Sequence, residues 1–99
     1  MRESTIEKYI CSKLEEMGIM SIKFRGSGRG APDRINLCKG GKTFFIEFKR
    51  PGEKIRRPEQ IQWRVLLEHS GFEVFEVSSK DWIEKTYKKI QQTYCAPAK

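Results

Sequence analysis

An apolar stripe near the start of the chain has the spacing of a helix. It recurs at i, i+4, i+8 and i+11, and its members are Ile6, Ile10, Leu14 and Met17. This periodicity predicts a helix over residues 4–17. Ser4 and Glu7 fit a capping box at its start, and Gly18 is a suitable residue just past its end.

Downstream, the pattern changes to short alternating segments separated by glycine and proline. The predicted strands are 19–25, 34–38, 43–49 and 72–77, and the predicted helices are 59–69 and 82–94. We expect a hairpin turn at Gly40-Gly41, a helix start at Pro58 and an N-cap at Asp81. The apolar residues expected to face inward from the helix over 59–69 are Ile61, Trp63, Val65 and Leu66. The order α-β-β-β-α-β-α predicts one α/β domain over 1–94, a mixed sheet flanked by helices, with 95–99 as a frayed tail.

Composition and charge narrow the class of partner. The chain is 37% apolar and 33% charged, with a net charge of +7, which is typical of a globular domain and not of a disordered one. The charge is concentrated in residues 23–57, which contain eleven Lys or Arg and three acidic residues, Asp33, Glu47 and Glu53. That segment carries 11 − 3 = +8, and the remainder carries −1. A field of this sign attracts a polyanion, and nucleic acid is the expected partner.

Other features argue against several classes of protein. No apolar run is long enough to span a membrane, and the first residues lack the apolar core of a secretory signal. Three cysteines without C-x-x-C spacing and a single histidine make a zinc site unexpected. They fit the reducing cytoplasm of a bacterial or phage-infected cell. The glycine-rich loop G-S-G-R-G precedes a proline and a strand, so it does not predict a nucleotide cofactor.

Charged residues interrupt two apolar segments within the basic region. Asp33 lies in A-P-D-R-I-N-L-C, and Glu47 and Lys49 lie in F-F-I-E-F-K. Because side chains alternate along a strand, Phe45 shares a face with Glu47 and Lys49. A structural alternative places Glu47 and Lys49 on the solvent face of an edge strand, with Asp33 in a turn. The flanking phenylalanines and the short spacing favour a carboxylate site for a hard divalent cation instead.

Such a site predicts cleavage of a phosphodiester bond. Mg²⁺ or Mn²⁺ held by Asp33 and Glu47, with the backbone carbonyl of Phe48 as a further ligand, would polarise the phosphate and acidify a bound water. Lys49 would orient that water or stabilise the pentavalent phosphate.

The metal site also constrains the hairpin. Asp33 and Glu47 must point to the same face, so Asp33 must lie opposite Glu47 or opposite a residue an even number of positions from Glu47. An unbulged two-residue turn at Gly40-Gly41 would place Asp33 opposite Phe48 and turn it away from Glu47. The hypothesis therefore requires an odd loop, such as Lys39–Gly41 or Gly40–Lys42, or a bulge in one strand.

These motifs together resemble a known family. Pro32-Asp33 followed by Glu47-x-Lys49 is the signature of the PD-(D/E)xK nucleases. The longer pattern resembles a virus-type replication-repair nuclease (VRR-Nuc) domain over residues 3–80. It consists of G-x-G-x-G-A-P-D-R, F-F-I-E-F-K-R-P-G, Q-x-x-W-x-x-x-L and G-F-E-V. The P-D…E-x-K motif alone is loose, and the additional motifs make the resemblance specific.

The resemblance implies a restriction-endonuclease-like fold and DNA cleavage that depends on Mg²⁺ or Mn²⁺. It assigns metal binding to Asp33 and Glu47, a catalytic role to Lys49, and a position in the site to Gln60 of the second helix. The family also places a glutamate of the first helix near the metal. Glu7 fits that position, Glu3 is the alternative, and helix capping is the other role open to Glu7.

The same reasoning predicts how DNA is bound. The residues expected to contact its phosphates are Arg25, Ser27, Arg29, Arg34, Arg50, Lys54, Arg56 and Arg57. A domain of 99 residues has little surface for a long base sequence, which favours recognition of branched structure. The predicted function is a Holliday junction resolvase acting as a homodimer, since two symmetric cuts need two active sites. The alternatives are a nickase or flap nuclease of the same chemistry, and a non-catalytic DNA-binding module.

Overall fold

The computed structural model describes residues 3–24, 29–49 and 57–94. In chain order the elements are α1 (Glu3–Glu16), β1 (Met20–Lys23), β2 (Arg34–Leu37), a 3₁₀ turn (Lys39–Gly41), β3 (Thr43–Phe48), α2 (Pro58–His69), β4 (Glu73–Val77), α3 (Ser79–Asp81), a π-helical turn (Trp82–Thr86) and α4 (Tyr87–Tyr94). The last three run on as one helical segment, so the order matches the predicted α-β-β-β-α-β-α. Within the described ranges, no helix is long and apolar enough to cross a membrane.

The four strands form one mixed sheet in the order β1-β2-β3-β4. β1 with β2 and β2 with β3 are antiparallel, whereas β3 and β4 are parallel. A parallel pair needs a crossover connection, which is the part of the chain that contains α2. The predicted α/β fold with a mixed central sheet is therefore confirmed.

The hairpin between β2 and β3 has the odd loop that the metal-site hypothesis requires. Lys39–Gly41 form a 3₁₀ turn of three residues, and the Cys38 N–H donates to the Lys42 carbonyl at 2.8 Å. Gly40 and Gly41 have φ angles of 77° and 79°, which glycine adopts without the steric penalty that a Cβ imposes. This prediction is confirmed.

One face of the sheet packs against α1 and the C-terminal helical segment. The buried residues of this core are Ile6, Ile10, Leu14, Ile19, Phe44, Ile46, Phe48, Val77, Trp82 and Ile90. They include three members of the apolar stripe predicted for α1. Gly18 ends α1 with a φ of 79°, and the Ile19 N–H donates to the Leu14 carbonyl at 3.0 Å, as predicted for a glycine stop. The predicted cap is wrong, because α1 begins at Glu3 and Ser4 lies inside it.

α2 covers the opposite face of β3 and β4, in an orientation that differs from the predicted one. Three residues predicted to face inward are largely exposed, by 50%, 47% and 64%: Ile61, Val65 and Leu66. The half-buried side of the helix is instead formed by Gln60, Trp63, Arg64 and Leu67. These residues have the spacing i, i+3, i+4, i+7 of one helix face, but two of them are polar. The apolar pattern alone therefore could not identify this face.

Aromatic and polar contacts together set the orientation of α2. Trp63, the one inward prediction that is correct, meets the ring of Phe24 edge-on at 5.6 Å. Phe24 in turn packs on Phe45 at 5.2 Å between ring centroids. Arg64 donates to the Glu76 carboxylate at 2.6 Å. The helix is thus anchored to β3 by rings and to β4 by an ion pair.

The start of the C-terminal helical segment also differs from the prediction. Ser78, and not Asp81, is the N-cap, and Asp81 is the third residue of a reciprocal capping box. The Ser78 N–H donates to Asp81 Oδ2 at 3.0 Å, and the Asp81 N–H donates to Ser78 Oγ at 3.2 Å. The S-x-x-D pattern at 78–81 is the sequence signal for this arrangement.

Candidate active site

Asp33 and Glu47 lie opposite each other at the end of the β2–β3 pair. Arg34 pairs with Ile46, and continuing that register by one residue pairs Asp33 with Glu47. Paired residues point to the same face of a sheet, so both carboxylates point to the side that α2 covers. Both residues are half-buried.

Asp33 is fixed by its neighbours on both sides. Its Oδ2 accepts a hydrogen bond from the Phe48 backbone N–H at 2.8 Å, and its carbonyl accepts one from the Phe24 N–H at 2.9 Å. In a strand, the N–H and C=O of one residue point to the same side. The Phe48 carbonyl therefore also faces the side of Asp33, as expected for the predicted backbone ligand.

Gln60 reaches this site from the first turn of α2. Its Nε2 donates to Glu47 Oε2 at 3.4 Å, while its Oε1 accepts from the Arg57 backbone N–H at 3.2 Å. One end of the amide caps the helix and the other contacts the carboxylate. The position of α2 thus determines how Glu47 is held.

Gly30 determines where this first turn lies. Gly30 has a φ of +87°, and a Cβ at this position would lie 2.5 Å from the Glu59 carbonyl carbon and 2.6 Å from the Gln60 nitrogen. Only glycine, which has no Cβ, allows the backbone at position 30 to lie so close to the backbone of α2. Gly30 was not assigned a role from the sequence, although the G-x-G-x-G-A-P-D-R motif contains it.

Lys49 meets an acidic residue that sequence reasoning assigned only to helix capping. Its Nζ lies 3.5 Å from Asp81 Oδ2. Burial alone would raise the pKa of Asp81. Hydrogen bonds from Ser78 and the positive charge of Lys49 outweigh burial, and the pKa lies below its ordinary value. Asp81 is therefore a carboxylate at neutral pH, and it lies beside the lysine of the E-x-K motif.

Glu7 lies on the other side of the sheet end, where it pairs with Arg34. An Arg34 guanidinium nitrogen lies 3.4 Å from Glu7 Oε2, and Arg34 Nε donates to Ser21 Oγ at 3.2 Å. The Arg34 side chain is only 14% exposed, so its guanidinium is occupied within the protein. Glu7 is not brought into one cluster with Asp33 and Glu47, and the side chain of Glu3 lies outside the described part of the chain.

The residues predicted to contact DNA are only partly described. Arg29 and Arg57 are both exposed, and they lie near Gly30 and at the start of α2, on the side of the candidate site. The others lie outside the described residues, apart from Arg34: Arg25, Ser27, Arg50, Lys54 and Arg56.

The chemistry of the donors fits a hard divalent cation. Asp33, Glu47 and the Phe48 carbonyl offer only oxygen atoms, which Mg²⁺ and Mn²⁺ prefer. Within residues 3–24, 29–49 and 57–94, no group of three or more His, Cys, Asp or Glu side chains could hold one ion. An ion here would therefore rely on two carboxylates, a backbone oxygen and water. Mg²⁺ commonly keeps several waters in this way.

Comparison with known proteins places this arrangement in context. No family model matches the chain. Its sequence is similar to "Putative nuclease p44" of Acyrthosiphon pisum secondary endosymbiont phage 1, with 38% identity over 82 residues, which are 82% of this chain and 87% of that protein. Its structure is similar to a solved structure named "VRR_NUC domain", with a TM-score of 0.75 and 27% identity over 93% of this chain and 96% of the other. Both similarities extend over most of each chain and not over an isolated motif.

Proposed function

The chain belongs to the VRR-Nuc family of nucleases, and from that premise we propose that it is a Mg²⁺- or Mn²⁺-dependent endonuclease that resolves four-way DNA junctions. Its restriction-endonuclease-like fold, implied by the sequence motifs, is confirmed by the structural match. The observation that carries the proposal is the register of the hairpin. It places Asp33 and Glu47 on one face, and Lys49 follows Glu47 by two residues along the chain.

Each of these residues has a separate task in the proposed reaction. Asp33 and Glu47 would hold the cation, with the Phe48 carbonyl as a third oxygen donor. When bound, the cation supplies Lewis-acid polarisation of the phosphate and a water of lowered pKa. Lys49 carries the positive charge that stabilises the phosphate as negative charge develops on it. Gln60 fixes the orientation of the Glu47 carboxylate through its hydrogen bond.

The distribution of charge supports DNA as the substrate. Residues 23–57 carry +8, and the exposed Arg29 and Arg57 lie on the side of the sheet that bears the carboxylates. Contacts of this kind go to phosphates and position the duplex without reading its bases. This supports recognition of a branched shape and not of a base sequence.

A homodimer would supply the two active sites that paired cuts require. α2 supports this part of the proposal. Ile61 and Val65 lie one turn apart on its outer surface and are 50% and 47% exposed. Large apolar side chains grouped on one surface commonly mark a protein–protein contact. A second copy of this chain is the partner that the symmetric reaction calls for.

The dimer is tested by molar mass in solution. We expect a mass near twice the 11.6 kDa of one chain by sedimentation velocity at micromolar concentration. The double variant Ile61→Lys/Val65→Lys should sediment as a monomer, because burying two ammonium groups in an apolar contact is strongly unfavourable. Ile83→Lys is the matched control, since Ile83 is 74% exposed on the π-helical turn, across the sheet from α2. A monomeric wild-type chain would contradict the dimer.

The function itself is tested with labelled DNA. The protein is incubated with a four-way junction, a flap, a nicked duplex and an intact duplex, each with Mg²⁺, Mn²⁺ or EDTA. We expect paired cuts in opposite strands of the junction with either metal, and none with EDTA. Cleavage confined to flaps would favour the flap nuclease, and cleavage of one strand of a duplex would favour the nickase. Binding without cleavage under every condition would identify a DNA-binding module.

A further inference from the structure

Hydrogen bonds from Ser78 fix the carboxylate of Asp81 independently of any lysine. Its Oδ2 accepts hydrogen bonds from the Ser78 N–H at 3.0 Å and from the Ser78 hydroxyl at 2.9 Å. Ser78 is itself buried, with 5% exposure. This reciprocal capping box joins the end of β4 to α3 and leaves the Asp81 side chain little freedom to rotate.

Both the backbone and the side chain of Lys49 contact the segment that joins β4 to α3. Its backbone N–H donates to the Val77 carbonyl at 2.9 Å, and its Nζ lies 3.5 Å from Asp81 Oδ2. A lysine side chain has a flexible four-carbon stem, so an unattached ammonium would sample many positions. The Lys49 and Asp81 side chains are 27% and 21% exposed, so solvent screens the pair only in part. The ion pair restricts where the ammonium lies.

The other positively charged side chains near Lys49 form ion pairs mainly with other carboxylates. Lys49 lines one end of a groove of about 440 Å³ along the outer edge of β4. In this groove Arg64 pairs with Glu76 at 2.6 Å, and Lys89 pairs with Glu73 at 2.5 Å. Lys85 also approaches Asp81, but at 4.0 Å and with a side chain that is 76% exposed. Asp81 thus serves chiefly Lys49.

We propose that Asp81 is a positioning residue for cleavage, which fixes the ammonium of Lys49, the residue two positions after Glu47. This inference rests on the proposed role of Lys49 in the nuclease reaction. Asp81 acts on the reaction only through the lysine. The lowered pKa of Asp81 agrees with this role, since it favours the charged carboxylate that pairs with the lysine. A phosphate entering the site then meets an ammonium already in place.

The first test is kinetic and uses Asp81→Asn. Asparagine keeps the size and one oxygen acceptor for Ser78, so the cap is largely retained while the charge is lost. We expect kcat on junction DNA to fall by roughly 10- to 100-fold, the range typical of residues that do not touch the substrate but orient a functional side chain. KM should change by less than about twofold, because the substitution displaces only the lysine and leaves the residues that bind DNA in place. Lys85→Met is the control, and its kcat should equal that of the wild type.

The second test asks whether Asp81 acts through Lys49. In a Lys49→Met background, Asp81→Asn should produce no further loss of the residual single-turnover rate, because residues that act as a unit are not additive. A merely structural role would lower the rate in both backgrounds. A wild-type or increased kcat in Asp81→Asn, or an equal loss in the Lys49→Met background, would overturn the proposal.

The third test does not require cleavage. The ¹⁵N-labelled ammonium of Lys49, identified by its absence in Lys49→Met, should give an NMR signal that is restrained in the wild type and becomes mobile in Asp81→Asn. If no form of the protein cuts DNA, the proposed function fails while this signal still reports on the positioning. An ammonium signal that is unchanged in Asp81→Asn would show that Asp81 does not hold Lys49.

Discussion

Cleavage should fall by at least roughly 10²- to 10³-fold in each of the variants Asp33→Asn, Glu47→Gln and Lys49→Met, the range seen when one group that stabilises transition-state charge is removed. The first two variants lose a negatively charged ligand for the cation while keeping the shape of the side chain. The third loses the ammonium but keeps an apolar stem of similar length. Affinity for the junction should be nearly unchanged, because phosphate contacts by the basic residues supply most of it. Cleavage rates and binding isotherms on one labelled junction separate the two effects.

Glu76→Gln is the matched control for the two carboxylate variants. Glu76 pairs with Glu47 in register on β4 and therefore shares its face, but it forms an ion pair with Arg64. Glutamine still offers Arg64 an oxygen acceptor, so α2 stays anchored to β4 and Glu76→Gln should retain cleavage close to that of the wild type. Asp33→Asn and Glu47→Gln should also unfold at temperatures no lower than the wild type, since removing one of two neighbouring like charges relieves their repulsion. Wild-type turnover in any one of the three site variants would remove that residue from the site.

The hairpin shows how far a chemical hypothesis can determine structure. Strand propensity and the glycine pair were compatible with a turn of two or of three residues. The requirement that two carboxylates share a face selected the odd loop, because a shift by one residue reverses every side chain of a strand. The structure has the three-residue turn Lys39–Gly41. Asp33 and Glu47 thereby point to the same face of the sheet, as the metal-site hypothesis required.

The orientation of α2 shows the limit of apolar periodicity. The sequence predicted an inward face from Ile61, Trp63, Val65 and Leu66, and only Trp63 faces the sheet, whereas the other three are largely exposed. Glu47 and Glu76 are half-buried on the sheet beneath, and an acid in that position needs a polar partner. The helix therefore presents its glutamine and arginine to the sheet. This choice depends on contacts between distant parts of the chain, which a count of apolar positions within one helix does not contain.

The same limit applies to pairs of charges. The contact of Arg34 with Glu7 spans 27 positions, and that of Lys49 with Asp81 joins the ends of β3 and β4. Neither pair has a local spacing that a sequence pattern could reveal. The sequence assigned Arg34 to DNA and Glu7 to the metal or to helix capping, and the fold pairs the two side chains with each other. That a glutamate of the first helix lies near the metal stays a prediction of the family resemblance.

Gly30→Ala should be the most damaging substitution outside the charged residues. The positive φ of +87° alone imposes a penalty of about 1–2 kcal/mol on a residue with a Cβ. In addition, the new methyl group would lie 2.5 Å from the Glu59 carbonyl carbon and 2.6 Å from the Gln60 nitrogen. These are backbone atoms and cannot rotate away, so the first turn of α2 must move. Gln60 would move with it and lose its 3.4 Å contact with Glu47.

Gly18→Ala separates the displacement of α2 from backbone strain. Gly18 has a similar φ of +79°, but a Cβ there would meet nothing within 4 Å. Both variants should therefore unfold at a lower temperature than the wild type in a thermal melt. Only Gly30→Ala should also lose cleavage, by about 10²-fold, because a catalytic group displaced by about 1 Å can lower a rate by that factor. Equal cleavage rates for the two variants, both near the wild-type value, would show that the glycine loop does not position α2 for the reaction.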